Sequence, residues 1–146
     1  MTKTLEAERI VLKDRDGEAR AVLGLDAEGS PQLVLAGRTG HIRIALTISD
    51  ADEPTLVLSG PVGERRVELA VSENGIPCFN LYDPEGNARM TLHVSNNGAP
   101  KLGLVDQRGN LRCVVCLFED GTPLVELFDD QKQILFRAPS RKTFLP

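Results

Sequence analysis

Along this chain, aliphatic residues alternate with other residues in short runs, and each run stops at a break rich in Gly or Pro. In Ala21-Val-Leu-Gly-Leu25, the positions of Leu23 and Leu25 recur as Leu46 and Ile48, Leu69 and Val71, Leu92 and Val94, and Val115 and Leu117. In a second kind of run, Leu33 and Leu35 recur as Leu56 and Leu58, Phe79 and Leu81, Leu102 and Leu104, and Val125 and Leu127. A spacing of two places such residues on one side of a β-strand, so each run predicts a strand with one apolar face. No segment keeps helical spacing over three turns. The pattern predicts an all-β protein.

The runs recur every 23 residues without insertion. Gly17, Gly40, Gly63, Gly86 and Gly109 share one phase, and Arg20, Arg43, Arg66, Arg89 and Arg112 follow three residues later. Pro31, Pro54, Pro77, Pro100 and Pro123 open the second-type runs, a place where a missing N–H is tolerated. Unbroken series at one spacing define a tandem repeat, each copy being a hairpin. Asp83-Pro-Glu-Gly86 and Asp106-Gln-Arg-Gly109 form tight turns at one end, and Glu73-Asn-Gly75, Asn96-Asn-Gly98 and Glu119-Asp-Gly121 close the other. Asp caps such turns, Pro fixes φ, and Gly takes the left-handed position. A four-residue loop after Leu81 is expected to keep Ala88 and Met90 on the face of Leu81. A three-residue loop with a Gly bulge after Val94 does the same for Leu102 and Leu104.

Six such hairpins make about twelve antiparallel strands, from Ile10-Val-Leu12 to Ile134-Leu-Phe136. An open sheet of that length leaves two unpaired edges. The first and last strands are of opposite type and can pair like any internal pair. The expected architecture is therefore a closed or flattened up-and-down barrel with the aliphatic face inward. A two-sheet sandwich, a β-solenoid and a trefoil-like arrangement are the alternatives. One repeat domain is expected over residues 1–139, with a tail over 140–146.

The string Gly75-Ile-Pro-Cys-Phe-Asn-Leu-Tyr-Asp-Pro-Glu-Gly-Asn-Ala-Arg-Met-Thr-Leu92 resembles repeats in uncharacterised bacterial proteins, in which G-x-P-x-L-x-L-x-D-x-x-G-x-x-R-x-x-L is strung in tandem. The resemblance spans about Ile10 to Pro139 and implies a repeat fold, but no activity. Copies two and three depart from it, with Gly37 and Gly60 where Asp would stand.

Composition narrows the function. A net charge of −4 argues against a general nucleic-acid or anionic-membrane surface, and no apolar run approaches the ~20 residues of a membrane span. The first residues lack the apolar stretch of a signal peptide. Three Cys fit reduced thiols, and a bacterial cytoplasmic location is expected.

The Arg series reads either as an outward basic stripe for an anionic partner or as stems pairing with turn carboxylates. Asp14, Asp83, Asp106 and Asp129 stand at turn entrances and read as caps rather than metal ligands. Cys113-Val-Val-Cys116 matches C-x-x-C but lies within a strand, where its thiols face opposite sides. His93 shares the phase of Cys116 at about 10 Å, too far for a common ion with ~2 Å bonds. With His41 and His93 on different copies, no catalytic constellation, cofactor site or metal site is expected. Scarce aromatic residues, with no Trp, weaken a sugar-binding reading. Val22, Val34, Tyr82, Val114, Phe118 and Phe128 fall on outward phases, and Phe144-Leu145 in the tail could dock. The expected function is a non-catalytic scaffold that binds a protein partner or copies of itself. The alternative is a module that holds an apolar small molecule in a barrel interior.

Overall fold

The computed structural model describes residues 3–140. Every predicted run forms a strand: β1 (Arg9–Lys13), β2 (Ala19–Leu25), β3 (Pro31–Ala36), β4 (Ile42–Ile48), β5 (Pro54–Ser59) and β6 (Arg65–Val71). The second half follows with β7 (Pro77–Tyr82), β8 (Ala88–Val94), β9 (Pro100–Val105), β10 (Leu111–Leu117), β11 (Pro123–Phe128) and β12 (Ile134–Ala138). They pair antiparallel in sequence order as one 12-stranded sheet. The six-hairpin, all-β organisation is thus the fold. It is a single meander, and neither the sandwich, the solenoid nor the trefoil describes it.

Closure into a barrel, the expected form, does not occur, because β1 and β12 are the two edges of the sheet. The register gives the reason. One row of cross-strand partners runs Leu12, Ala21, Leu35, Ile44, Leu58, Val67, Leu81, Met90, Leu104, Cys113, Leu127 and Phe136. Equivalent residues of successive copies (Leu12, Leu35, Leu58 and onward) occupy the same row, so no stagger accumulates between the edges. A barrel closes only with strand tilt and a matching register shear. An uninterrupted period supplies none.

All the links share one geometry. In the turn after β7, the Gly86 N–H donates to the Asp83 carbonyl at 3.1 Å and the Asp83 N–H to the Asn87 carbonyl at 3.0 Å. In the turn after β8, the Gly98 N–H donates to the Ser95 carbonyl at 2.8 Å and the Ser95 N–H to the Ala99 carbonyl at 3.0 Å. The two turn types therefore do not differ as expected. The parity of an odd-length repeat is instead restored by a bulge at Arg: Tyr82 pairs with Ala88 but Leu81 with Met90, leaving Arg89 between them. Met90 thus shares the face of Leu81 as expected, whereas Ala88 joins Tyr82 on the other.

The two faces differ. Leu23, Leu25, Leu33 and Leu35 and their equivalents form one face from edge to edge, without a charged side chain. This face was expected to be interior, yet Leu23 is 51%, Leu25 58% and Leu69 50% exposed. A lone sheet has no second layer to cover it. The opposite face carries the row Val11, Val22, Val34, Ala45, Val57, Glu68, Asn80, Thr91, Gly103, Val114, Glu126 and Arg137. It is the better shielded of the two. Val114, Ser30 and Glu126 are buried, and among the described residues no large side chain is fully enclosed.

Candidate interaction surfaces

The bulge aims each Arg along the turn-bearing end of the sheet. Arg43 Nε donates to the Ser59 carbonyl at 2.8 Å and Arg66 Nε to the Tyr82 carbonyl at 3.1 Å. Arg20 and Arg89 reach the carbonyls of Gly37 and Asp106. Several also grip a carboxylate of their own turn: Arg20 with Asp14 at 3.6 Å, Arg112 with Asp106 at 3.3 Å, and Arg89 with Asp83. The Arg series thus forms a set of clips, reaching a backbone carbonyl of the next hairpin or a carboxylate of its own turn. In the last copy Leu135 takes the Arg phase and is 67% exposed.

The Asp ladder caps turns as expected. The carboxyl of Asp106 lies below the usual range because the Asn110 N–H donates to it, with the Arg108 N–H, the Asn110 side chain and Arg112 adding to this against some desolvation. At Asp83 desolvation is the largest influence and raises the pKa, but the Asn87 N–H, the Asn87 amide and Arg89 together outweigh it and leave the group lowered. Gly60, which lacks this carboxylate, has a substitute. Glu64 folds its carboxylate into the space an Asp side chain would fill, and its Oε2 accepts from the Val62 N–H at 3.1 Å.

On the mixed face, Tyr82 joins a polar cluster. Its hydroxyl donates to Glu68 Oε1 at 3.0 Å, Asn80 Nδ2 donates to the same oxygen at 3.1 Å, and Arg65 both pairs with Glu68 and stacks over the Tyr82 ring at 5.6 Å. Burial, the largest influence, raises the Tyr82 hydroxyl above its ordinary pKa, with Arg65 pulling it down and Glu68 pushing it up. Nearer the C-terminus, Val114, Cys116, Leu124, Glu126 and Phe128 line an open groove of about 350 Å³ with Phe118 at its rim. Phe118 is 52% exposed. Arg137 on edge strand β12 pairs with buried Glu126 at one side of this groove. Phe144 and Leu145 lie outside the described residues.

Cys113 pairs with Leu104 and Leu127 on the aliphatic face, whereas Cys116 pairs with Lys101 and Leu124 on the mixed face. The C-x-x-C thiols are thus on opposite sides. His93 lies directly across from Cys78, a juxtaposition that follows from counting outward from the turn at Asp83 and that motif reading overlooks. Among the described residues no three His, Cys, Asp or Glu side chains converge to hold a metal, and no helix is long and apolar enough to cross a membrane.

The class of protein this geometry defines is a single-layer, tandem-hairpin β-sheet with one uncovered aliphatic face. No family model matches the chain, and no curated protein matches it.

Proposed function

We propose that this protein is a non-catalytic assembly module: a rigid β scaffold whose aliphatic face is covered by another polypeptide, in a homo-oligomer or a larger complex. One observation carries this reading. The face richest in Leu, Ile and Val is the face most open to solvent, with Leu23, Leu25 and Leu69 half exposed or more. Contiguous apolar area of this extent marks a site of association. Three features of the molecule fit the same reading. Arg20, Arg66, Arg89 and Arg112 are engaged with turn carboxylates, no three His, Cys, Asp or Glu side chains converge among the described residues, and the groove beside Phe118 is open rather than enclosed. The small-molecule alternative drew on a barrel interior, and the sheet does not close to make one.

The full chain, purified at micromolar concentration, is expected to behave as a particle heavier than 15.9 kDa or to require a stoichiometric partner for solubility. Light scattering after size exclusion reads this directly. A monodisperse single chain that stays soluble without a partner would overturn the reading.

A further inference from the structure

We propose that the covering polypeptide is a second copy of this chain, packed aliphatic face to aliphatic face in a symmetric two-layer sandwich. This deepens the assembly reading and rests on it. The first support is area. A self-contained folded chain of 15.9 kDa exposes roughly 7,400 Å² by the scaling of surface with mass, but this chain exposes 10880 Å². The excess is roughly 3,500 Å², and half of it still exceeds the roughly 800 Å² per partner of a standard stable interface. It falls in the range of obligate dimers, whose interfaces resemble a domain core cut in two.

The second support is complementarity. The aliphatic face offers no charge and no side-chain hydrogen-bonding group to select an unlike partner; Cys113 is its most polar member. What fits it is another sheet of the same breadth, with the same row spacing and equally free of polar groups. The chain itself is such a sheet. Two aliphatic faces interdigitating at the usual ~10 Å separation of stacked sheets would give both copies the interior that neither has alone. An isologous contact of this kind closes on itself and stops at two.

Joining copies edge to edge is the competing geometry. Among the described residues edge strands β12 and β1 have no outer partner, and, being of opposite type, they can pair like internal neighbours. Such pairing would extend the sheet but leave its aliphatic face bare, so it does not remove the excess surface. It is also heterologous, and with no stagger to curve the sheet shut it would propagate into filaments.

The native thiols provide the test. In the single chain Cys78, Cys113 and Cys116 are all partly exposed, but only Cys113 stands on the aliphatic face. The full chain is treated with a thiol-alkylating reagent under native conditions and the modified sites are read by mass spectrometry, alongside light scattering. The expected result is a particle of twice the chain mass in which Cys113 is modified at least tenfold more slowly than Cys78 and Cys116. Leu46→Lys, on the aliphatic face, is expected to abolish the dimer, whereas Thr47→Lys, the next residue on the opposite face, leaves it intact. Should Leu46→Lys fail to fold, the thiol pattern of the natural chain still decides. A dimer with equally reactive thiols, or particles that lengthen with concentration, would overturn the sandwich. A chain that assembles only with an unlike partner, Cys113 protected, would overturn the second copy but leave the assembly reading standing.

Discussion

The two faces of this sheet share one backbone and opposite chemistry. On the mixed face every embedded charge has a local answer: Glu68 accepts from Asn80 and Tyr82 and pairs with Arg65, and Glu126 is held by Arg137. Side chains there shield one another, so that Val114 is only 5% exposed. On the aliphatic face shielding is partial at best, and Leu92 and Leu104 remain 42% and 40% exposed. Folding normally buries the more hydrophobic surface, because apolar burial is its main favourable contribution. Here a single chain buries the less hydrophobic one. Folding finishes the mixed face and leaves the aliphatic face uncovered, the face that the proposed association would cover.

The largest expected effect tests that division directly. Leu92→Ala removes methyl groups from the aliphatic face. In an isolated sheet the loss would stay below about 1 kcal/mol, because much of the side chain already meets water. In a covered sheet it is expected to cost about 2–5 kcal/mol, the range for buried leucines. Thr91→Ala, next to it on the mixed face, is expected to change stability by less than about 1 kcal/mol in either case. Denaturant unfolding at several protein concentrations separates the outcomes, since the midpoint should rise with concentration only for an associating species. A small, concentration-independent loss for Leu92→Ala would break the comparison.

The next effect belongs to the mixed face. Arg137→Ala strands the Glu126 carboxylate, which is 9% exposed. An orphaned, largely buried charge is expected to cost about 1–3 kcal/mol and to loosen the edge strand. Amide exchange in β12 should accelerate while strands distant from that edge stay unchanged. Adding Glu126→Gln to Arg137→Ala should recover part of the loss, because an amide tolerates the site without a counter-charge. If the double variant were no better than the single, the pair would hold β12 by packing alone.

Much of this was legible in the sequence. Leu33 and Leu35 and their equivalents mark the strands and the shared face, the Gly and Asp series mark the turns, and the Arg series marks a position that proves to be the bulge. Closure was the main divergence. Free edges argue for a barrel, but residues such as Leu12, Leu35 and Leu58 recurring in one row already imply zero shear, so the period itself argues against closure. The Glu68–Asn80–Tyr82 cluster was not read because it rests on side-chain reach across the regular β6–β7 register, where Glu68 stands opposite Asn80 and Tyr82 lies two residues along the same face. The substitution of Glu64 for a missing Asp at Gly60 needs three-dimensional geometry. Exposure of the aliphatic face was invisible for a different reason: periodicity identifies an apolar side but carries no record of what covers it.

Smaller effects should leave the difference between the faces untouched, which makes them controls. Lys132 has φ 64° and Asp52 has φ 60°, at turn positions held by Gly in the other copies. Left-handed backbone is costly for a residue with a Cβ, so Lys132→Gly and Asp52→Gly are each expected to stabilise the fold by about 0.5–1 kcal/mol. Gly86→Ala, at φ 85°, should lose about 1–2 kcal/mol. Thermal unfolding reads all three, and the particle mass should not change.

The smallest expected effect is on acid stability. Asp83, Asp106 and Asp120 have carboxyls lowered in the folded state. For Asp120 the Thr122 N–H, followed by its hydroxyl, is the main cause. A group lowered on folding adds stability that is fully present above its unfolded value, near 3.9, and that disappears as pH falls through the folded value beneath it. Melting temperature should therefore hold from neutral pH down to about 4 and decline below that. These carboxylates sit in the turns, and the aliphatic face carries no carboxylate, Lys, Arg or His. Association should accordingly be flat with pH wherever the fold is intact. A dimer mass that dissolves between pH 7 and 5 while the melting temperature holds would place titrating groups in the interface, and would move the contact from the aliphatic face to the clipped turns.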